Sequence, residues 1–204
     1  MTIVASLCGS LGASSSNAEL LATLDAFLVE RGTNVRSFDA LAQIPGLTPG
    51  HNPPAVEKFR AFIAQADALV IAAPEYAGGV SGVTKNALDW LVESGSLYGK
   101  PAAILTAGTT GGPFARAQLA RTLSWQGAHV VASMGVTSPK TQRDAKGKWN
   151  GAVRGGLEET ARTLLASLSD ESLMREHCTA VLEEYGIDVR RFGWTPSSSA
   201  SGPT

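Results

Sequence analysis

Charge, sulfur and long apolar runs are all scarce in this sequence. Charged residues make up 17% of 204, and 17 Lys and Arg against 18 Asp and Glu leave a formal net charge of -1. A nucleic-acid partner normally demands a basic surface, so this balance argues against one. The two cysteines, Cys8 and Cys178, belong to no CxxC or Cys/His pattern. That removes a disulfide framework from consideration and suggests a reducing, cytoplasmic setting. The three histidines, His51, His129 and His177, form no cluster, and no metal centre is expected. No apolar run approaches the ~20 residues of a membrane span. No basic segment followed by a long apolar stretch precedes residues 3–7, so no signal peptide is visible either. What remains is ordinary globular composition, 44% hydrophobic, at a length suited to one domain. That domain is expected over residues 1–186. Residues 187–204, Ser/Pro/Gly-rich from Thr195, form an expected, partly disordered tail.

Short apolar segments alternate with helical periodicity. Strands are expected over 3–7, 34–38, 69–73, 101–107 and 128–134. Helices are expected over 17–31, 55–64, 83–93, 113–125, 153–168 and 173–185. The first helix places Leu20, Leu21, Leu24, Phe27 and Leu28 at 3–4 spacing and stops at Gly32. Residues 40–54 are loop, punctuated by Pro and Gly, and the polar stretch 137–150 is an expected exposed loop. Such alternation predicts an α/β protein, a flavodoxin-like three-layer sandwich on a five-stranded parallel sheet of order 2-1-3-4-5. Ligands of such sheets bind beyond the carboxyl ends of the strands, at the switch point between strands 1 and 3.

Three Gly-rich loops fall at that edge. Loop 1 contains Cys8, Gly9, Ser10, Leu11, Gly12, Ser14, Ser15, Ser16 and Asn17, then opens a helix. Glycines let N–H groups approach an anion, a helix N-terminus adds free donors, and the hydroxyls complete a phosphate cage. A plain N-cap is the simpler account of Ser and Asn here, but one cap does not need this many serines. Neither Walker A nor GxGxxG spacing is present. Loop 3 contains Pro74, Glu75, Tyr76, Ala77, Gly78, Gly79 and Gly82, with Tyr76 placed to stack on or wall off a flat ring. A Gly-rich turn with a surface tyrosine is the alternative. Loop 4 contains Gly108, Thr109, Thr110, Gly111 and Gly112 before Pro113. A phosphate at loop 1 and a heterocycle between loops 3 and 4 outline a mononucleotide such as FMN.

The chain also resembles the NAD(P)H-dependent FMN reductase family, which includes quinone, azo-dye and chromate reductases. The family's loop 1, G-S-L-R-x-x-S-x-N, is matched by Gly9, Ser10, Leu11, Ser15 and Asn17. Its P-E-Y-N-x-x-x-P-G-x-L-K-N-A-x-D-W is matched by Pro74, Glu75, Tyr76, Gly82, Lys85, Asn86, Ala87, Asp89 and Trp90. The resemblance covers residues 1–168. It departs at Gly12, where the family has a phosphate-binding Arg, at Ala77 in place of Asn, and at Ser81 in place of Pro.

The resemblance implies FMN as cofactor, NADPH or NADH as donor, and a quinone, azo, metal or free-flavin acceptor. FMN would be held by N–H groups and hydroxyls, with Arg116 or Arg121 as candidate replacements for the missing charge. The chemistry would be the flavin's, so no catalytic side chain is assigned. A homodimer or homotetramer is implied, to which Leu88, Trp90, Leu91, Phe114, Leu119, Leu123 and Trp125 could contribute apolar surface. Two other readings stay open: a reductase that supplies reduced FMN to a separate monooxygenase, and a non-enzymatic electron carrier of flavodoxin type. An anion-binding module without redox chemistry is a third.

Overall fold

The computed structural model describes residues 1–12 and 14–192. In chain order the elements are β1 (Ile3–Cys8), α1 (Ser16–Glu30), β2 (Asn34–Ser37), α2 (Pro54–Ala64), β3 (Ala68–Ala72), β4 (Glu75–Tyr76), β5 (Gly79–Val80), α3 (Gly82–Asp89), β6 (Pro101–Gly108), α4 (Pro113–Trp125), β7 (His129–Thr137), α5 (Gly151–Ser169) and α6 (Glu171–Glu184). Five strands form a parallel sheet in the order β2-β1-β3-β6-β7. This is the expected 2-1-3-4-5 order, with β4 and β5 a separate two-stranded ribbon.

Every side chain of β3 is buried, because helices cover both faces of a parallel sheet. The helices obey their apolar spacing. On α1, Leu20, Leu21, Leu24, Phe27 and Leu28 are buried, Ser15 caps the start, and Gly32 leaves the end at φ 81°. On α2, Pro54 sits in the first turn and Val56, Phe59 and Ile63 face inward. Phe38, just after β2, packs on Phe59 with ring centroids 4.9 Å apart. Burying a side chain such as Phe59 or Leu28 contributes about 1.5–3 kcal/mol. The last helix, α6, packs on β7 and touches α5 and α4, so it closes the open edge of the sheet. It buries Cys178 and Leu182.

Four segments differ from expectation. The third helix ends at Asp89 rather than continuing to 93: a 3-10 turn at Val92–Ser94 follows, and Gly95 at φ 60° reverses the chain. The stretch 137–150 is not simply an exposed loop. β7 runs on to Thr137, and Trp149 is buried under the Arg143 guanidinium, 3.4 Å from its ring centroid. Residues 74–82 fold into a hairpin instead of an open loop. Finally, Ile187 and Val189 are buried, so the packed chain continues beyond 186 to a 3-10 turn, Val189–Phe192. The Ser/Pro/Gly-rich tail from Thr195 lies outside the described residues.

Candidate functional site

Strand register puts loops 1, 3 and 4 side by side. Cys8 of β1 pairs with Ala72 of β3, and Ala72 pairs with Leu105 of β6. Past the strands, Gly9 N–H donates to the Ala72 carbonyl at 2.7 Å and Ala73 N–H to the Leu105 carbonyl at 3.1 Å. Each loop therefore leaves the sheet alongside its neighbour.

Loops 1 and 3 are fastened together. The Ser81 hydroxyl donates to the Gly9 carbonyl at 2.8 Å and shares a 2.8 Å hydrogen bond with the Thr84 hydroxyl. Ser81 and Thr84 are both 2% exposed. A Cβ on Gly9 would lie 1.9 Å from Thr84 Oγ1, so only glycine allows this approach. Asn17 fastens loop 1 to the end of β6. Its Nδ2 donates to the Ala107 carbonyl at 3.0 Å, and its Oδ1 accepts from Ala107 N–H at 2.8 Å. Both polar atoms of its amide take part in this clamp.

The rest of loop 1 is open. Ser15 is the N-cap of α1, its Oγ accepting from Ala18 N–H at 3.3 Å. The N–H groups of Ser16 and Asn17 lie in the first helical turn, where no intrahelical acceptor exists. Ser10 is half-buried, while Leu11 and Gly12 are exposed. A Cβ on Gly12 would touch nothing within 4 Å, and its φ is not positive, so the backbone does not require glycine there. Below the loop, Cys8 is half-buried and its thiol is raised above the usual range by burial. Burial likewise pushes Asp25 on α1 up to about 6, although its Oδ2 accepts from the Ser6 hydroxyl at 2.8 Å.

Loop 3 is a tight hairpin. Glu75–Tyr76 pair antiparallel with Gly79–Val80, and the two turn residues, Ala77 and Gly78, have φ 50° and 74°. Two successive positive φ values match a type I′ turn, whose twist suits a two-residue hairpin. Pro74 is buried, whereas Ala77 and Gly78 are exposed and Tyr76 is 62% exposed. Glu75 is a fastener rather than an acid. Its Oε2 accepts from Phe114 N–H at 2.8 Å and Ala115 N–H at 2.9 Å, filling the N-terminus of α4. Gln118 of α4 holds the other arm, accepting from Val80 N–H at 2.8 Å.

Loop 4 turns on Gly111 and Gly112, at φ 77° and 68°. A Cβ on Gly112 would lie 2.8 Å from the Thr106 side chain. Thr109 and Thr110 are exposed beside half-buried Gly108. Arg116 is occupied: it donates to Tyr185 Oη, Thr106 Oγ1 and the Gly111 carbonyl. Arg121 is exposed on α4, with no ion pair among the described residues. A third arginine, unforeseen from sequence, reaches the first turn of α1: Arg143 pairs with Glu19. A cavity of about 1130 Å³ opens at the opposite edge of the sheet, beside Pro101 and His129, and shares no residue with these loops.

A family model described as NADPH-dependent FMN reductase matches residues 1–142. The chain belongs to that family. An NAD(P)H-dependent FMN reductase of Pseudomonas aeruginosa is 39% identical over 119 residues, covering 55% of this chain and 60% of that protein. A quinone reductase of Escherichia coli is 34% identical over 137 residues, covering 63% and 72%. The match takes in 58% of an NAD(P)H:quinone oxidoreductase of Solanum tuberosum, so the chain spans little more than half the length of several such relatives. Among solved structures, a flavoenzyme NAD(P)H:(acceptor) oxidoreductase from Paracoccus denitrificans superposes with TM-score 0.71 at 23% identity, over 83% of this chain and 98% of that one. A flavodoxin from Pseudomonas aeruginosa superposes at TM-score 0.58 and 12% identity, over 83% of this chain and all of that one (100%). These two establish the fold, which is flavodoxin-like.

The matched reductase motif contains as much scaffold as site. Asn86 binds the Ile44 and Pro45 carbonyls and accepts from Leu47 N–H, and Trp90 Nε1 donates to the Pro45 carbonyl at 2.7 Å. Together they pin the loop after β2 against α3. Lys85 and Asp89 pair at 2.6 Å along the same helix. Leu88, Trp90, Leu91, Leu119 and Leu123 all turn inward, leaving Phe114 and Trp125 as the exposed apolar residues of the set. Ser81, Thr84 and Gln118 carry much of the loop geometry; Ser81 stood out in sequence only as a departure from the family pattern, because its bond to Gly9 and that of Gln118 to Val80 span long separations.

Proposed function

We propose that the edge formed by loops 1, 3 and 4 binds FMN and that the protein oxidises NAD(P)H through it, passing electrons to a quinone, azo, metal or free-flavin acceptor. The observation that carries this reading is the three-loop arrangement itself, in a chain of the FMN reductase family. The residues present suit the group. Ser10, Ser15 and Ser16, with the first-turn N–H groups of α1, offer donors to a phosphate. A Cβ on Gly12, Gly78 or Gly108 would meet nothing, so the backbone there is open to a ligand. Tyr76, Ala77, Gly78 and Gly79 on one side and Gly108, Thr109, Gly111 and Gly112 on the other form the walls of the ring site.

Bound FMN supplies the hydride-accepting chemistry, and the protein supplies position. Loop 1 holds the phosphate end, with Leu11 at its exposed rim. The hairpin, fixed through Glu75 to α4, presents Tyr76 to the ring or to the nicotinamide stacked on it. Glu75 is spent on backbone donors and is not a proton-transfer group in this scheme. Assembly as a homodimer or homotetramer is part of the same proposal.

A second reading follows from Gly12. With no arginine in loop 1, a charge-assisted phosphate contact is missing, which favours FMN as an exchangeable substrate, delivered reduced to a separate monooxygenase. Steady-state NAD(P)H oxidation tests both. The expected result is turnover with a quinone or with added FMN. An exchangeable flavin gives colourless purified protein and a saturable dependence on added FMN; a resident one gives yellow protein. A Gly12→Arg substitution, sterically free, is expected to tighten FMN about 10-fold and leave riboflavin unchanged. No NAD(P)H oxidation under either condition overturns the proposal.

A further inference from the structure

The carbonyl of Gly111 is held from two sides. Thr106 Oγ1 donates to it at 2.5 Å, and Arg116 Nη1 donates both to it and, at 3.0 Å, to Thr106 Oγ1. Arg116 is itself held from outside the loop. Its Nε donates to Tyr185 Oη at 3.0 Å, and that oxygen is locked to Ser133 Oγ of β7 at 2.6 Å. Tyr185 stands at the end of α6, beyond the segment 1–142 that matches the family.

This chain of contacts fixes one peptide plane. The described chain has no cis peptide bond, so in the Gly111–Gly112 peptide the C=O and N–H point in opposite directions. With the Gly111 carbonyl drawn to Thr106, which is fully buried, the N–H of Gly112, a buried residue, points the opposite way, away from Thr106. Both glycines have positive φ, a conformation glycine enters at little cost and leaves as readily. The peptide could rotate if nothing held it. Thr106 and Arg116 hold it, and Tyr185 holds Arg116.

We propose that Tyr185 is a positioning residue for the flavin site. Acting through Arg116, it keeps the Gly112 N–H turned away from Thr106 as a hydrogen-bond donor to the electron-rich edge of the isoalloxazine ring. The C-terminal helix α6 thereby sets the ring-binding competence of a loop it does not itself enter. This rests on the FMN reading above. The ligand class is the flavin ring rather than its phosphate, so riboflavin and FMN must report the same effect.

The test compares wild type, Tyr185→Phe, Thr106→Val and Thr106→Ser, each titrated with FMN and with riboflavin by fluorescence quenching. Thermal unfolding without ligand checks that each variant is folded. Tyr185→Phe and Thr106→Val are expected to raise both dissociation constants by a similar factor, about 3- to 10-fold for one weakened hydrogen bond. They are also expected to shift the visible absorption maximum of the bound flavin, which a remote stability effect does not move. Thr106→Ser keeps the hydroxyl and should stay within about twofold of wild type. Wild-type binding with unchanged affinities and spectrum in Tyr185→Phe and Thr106→Val overturns the inference alone. A loss confined to FMN also overturns it, because that places the effect at the phosphate. A wild type that binds neither flavin overturns the FMN reading and the inference with it.

Discussion

Ala77 is one of two non-glycine residues with positive φ among the described residues. It occupies the first turn position of a type I′ hairpin, where Asn or Gly is preferred because a Cβ crowds the carbonyl in the left-handed region. The family pattern has Asn there, so alanine carries strain that asparagine does not. An Ala77→Asn substitution is expected to stabilise the protein by about 0.5–1 kcal/mol. Thermal unfolding checks this as a rise of about 2 °C; an unchanged or lowered midpoint contradicts the hairpin geometry. Asp25 makes a different prediction. Burial raises its carboxyl from 3.8 to about 6, so the fold favours the protonated form. The stability it contributes is complete below pH 3.8 and is lost as pH rises through about 6. Ionisation then costs of order 3 kcal/mol. Asp25→Asn keeps an acceptor for Ser6 and removes the ionisation. Its unfolding midpoint should fall less between pH 5 and pH 8 than that of wild type. An identical fall in both proteins would place the pH dependence elsewhere.

At the scale of elements, the site depends on fasteners between loops rather than on any single loop. Asn17 joins the first turn of α1 to β6 through both polar atoms of its amide. Truncation in Asn17→Ala leaves a buried N–H and a buried carbonyl of Ala107 without partners, at a cost of about 3 kcal/mol. Urea unfolding is expected to show that loss, together with weaker flavin binding as loops 1 and 4 separate. A loss below about 1 kcal/mol would mean that water replaces the amide. Elements were legible from sequence where one physical cue dominated. The spacing of Leu20, Leu24, Phe27 and Leu28 marks α1, and Gly32 marks its end. Pro113 and the apolar pattern behind it give the bounds of α4 without error. Local cues misled where a distant contact decided the outcome. Trp149 sits in a polar stretch and yet joins the hydrophobic core, with Arg143 folded over its ring. The loop 74–82 lacks the Asn-Gly signal of a hairpin, and its pairing is held instead by Glu75, bonded to the first N–H groups of α4, and by Gln118 of α4.

Over the whole molecule, the alternation of strands and helices was sufficient to give the strand order, and with it the carboxyl edge at which loops 1, 3 and 4 leave the sheet. The three Gly-rich loops do converge there. Their chemistry was less legible. Gly9 was read as room for an anion, but its missing side chain makes space for Thr84. Asn17 and Glu75 stand in the ligand loops, and their side chains bind backbone there, Glu75 in the loop hydrogen bonding that was its plainer reading. The role of α6 was invisible, since nothing in a sequence connects Tyr185 to Gly111. Among the described residues no helix is long and apolar enough to cross a membrane, and no group of acidic, His and Cys residues could hold a metal. The central claim is that these loops together make one flavin site. Titration of the protein into FMN, followed by flavin fluorescence, tests it most directly. The account predicts saturable quenching at one FMN per chain. Fluorescence that stays unchanged through a large excess of protein contradicts it.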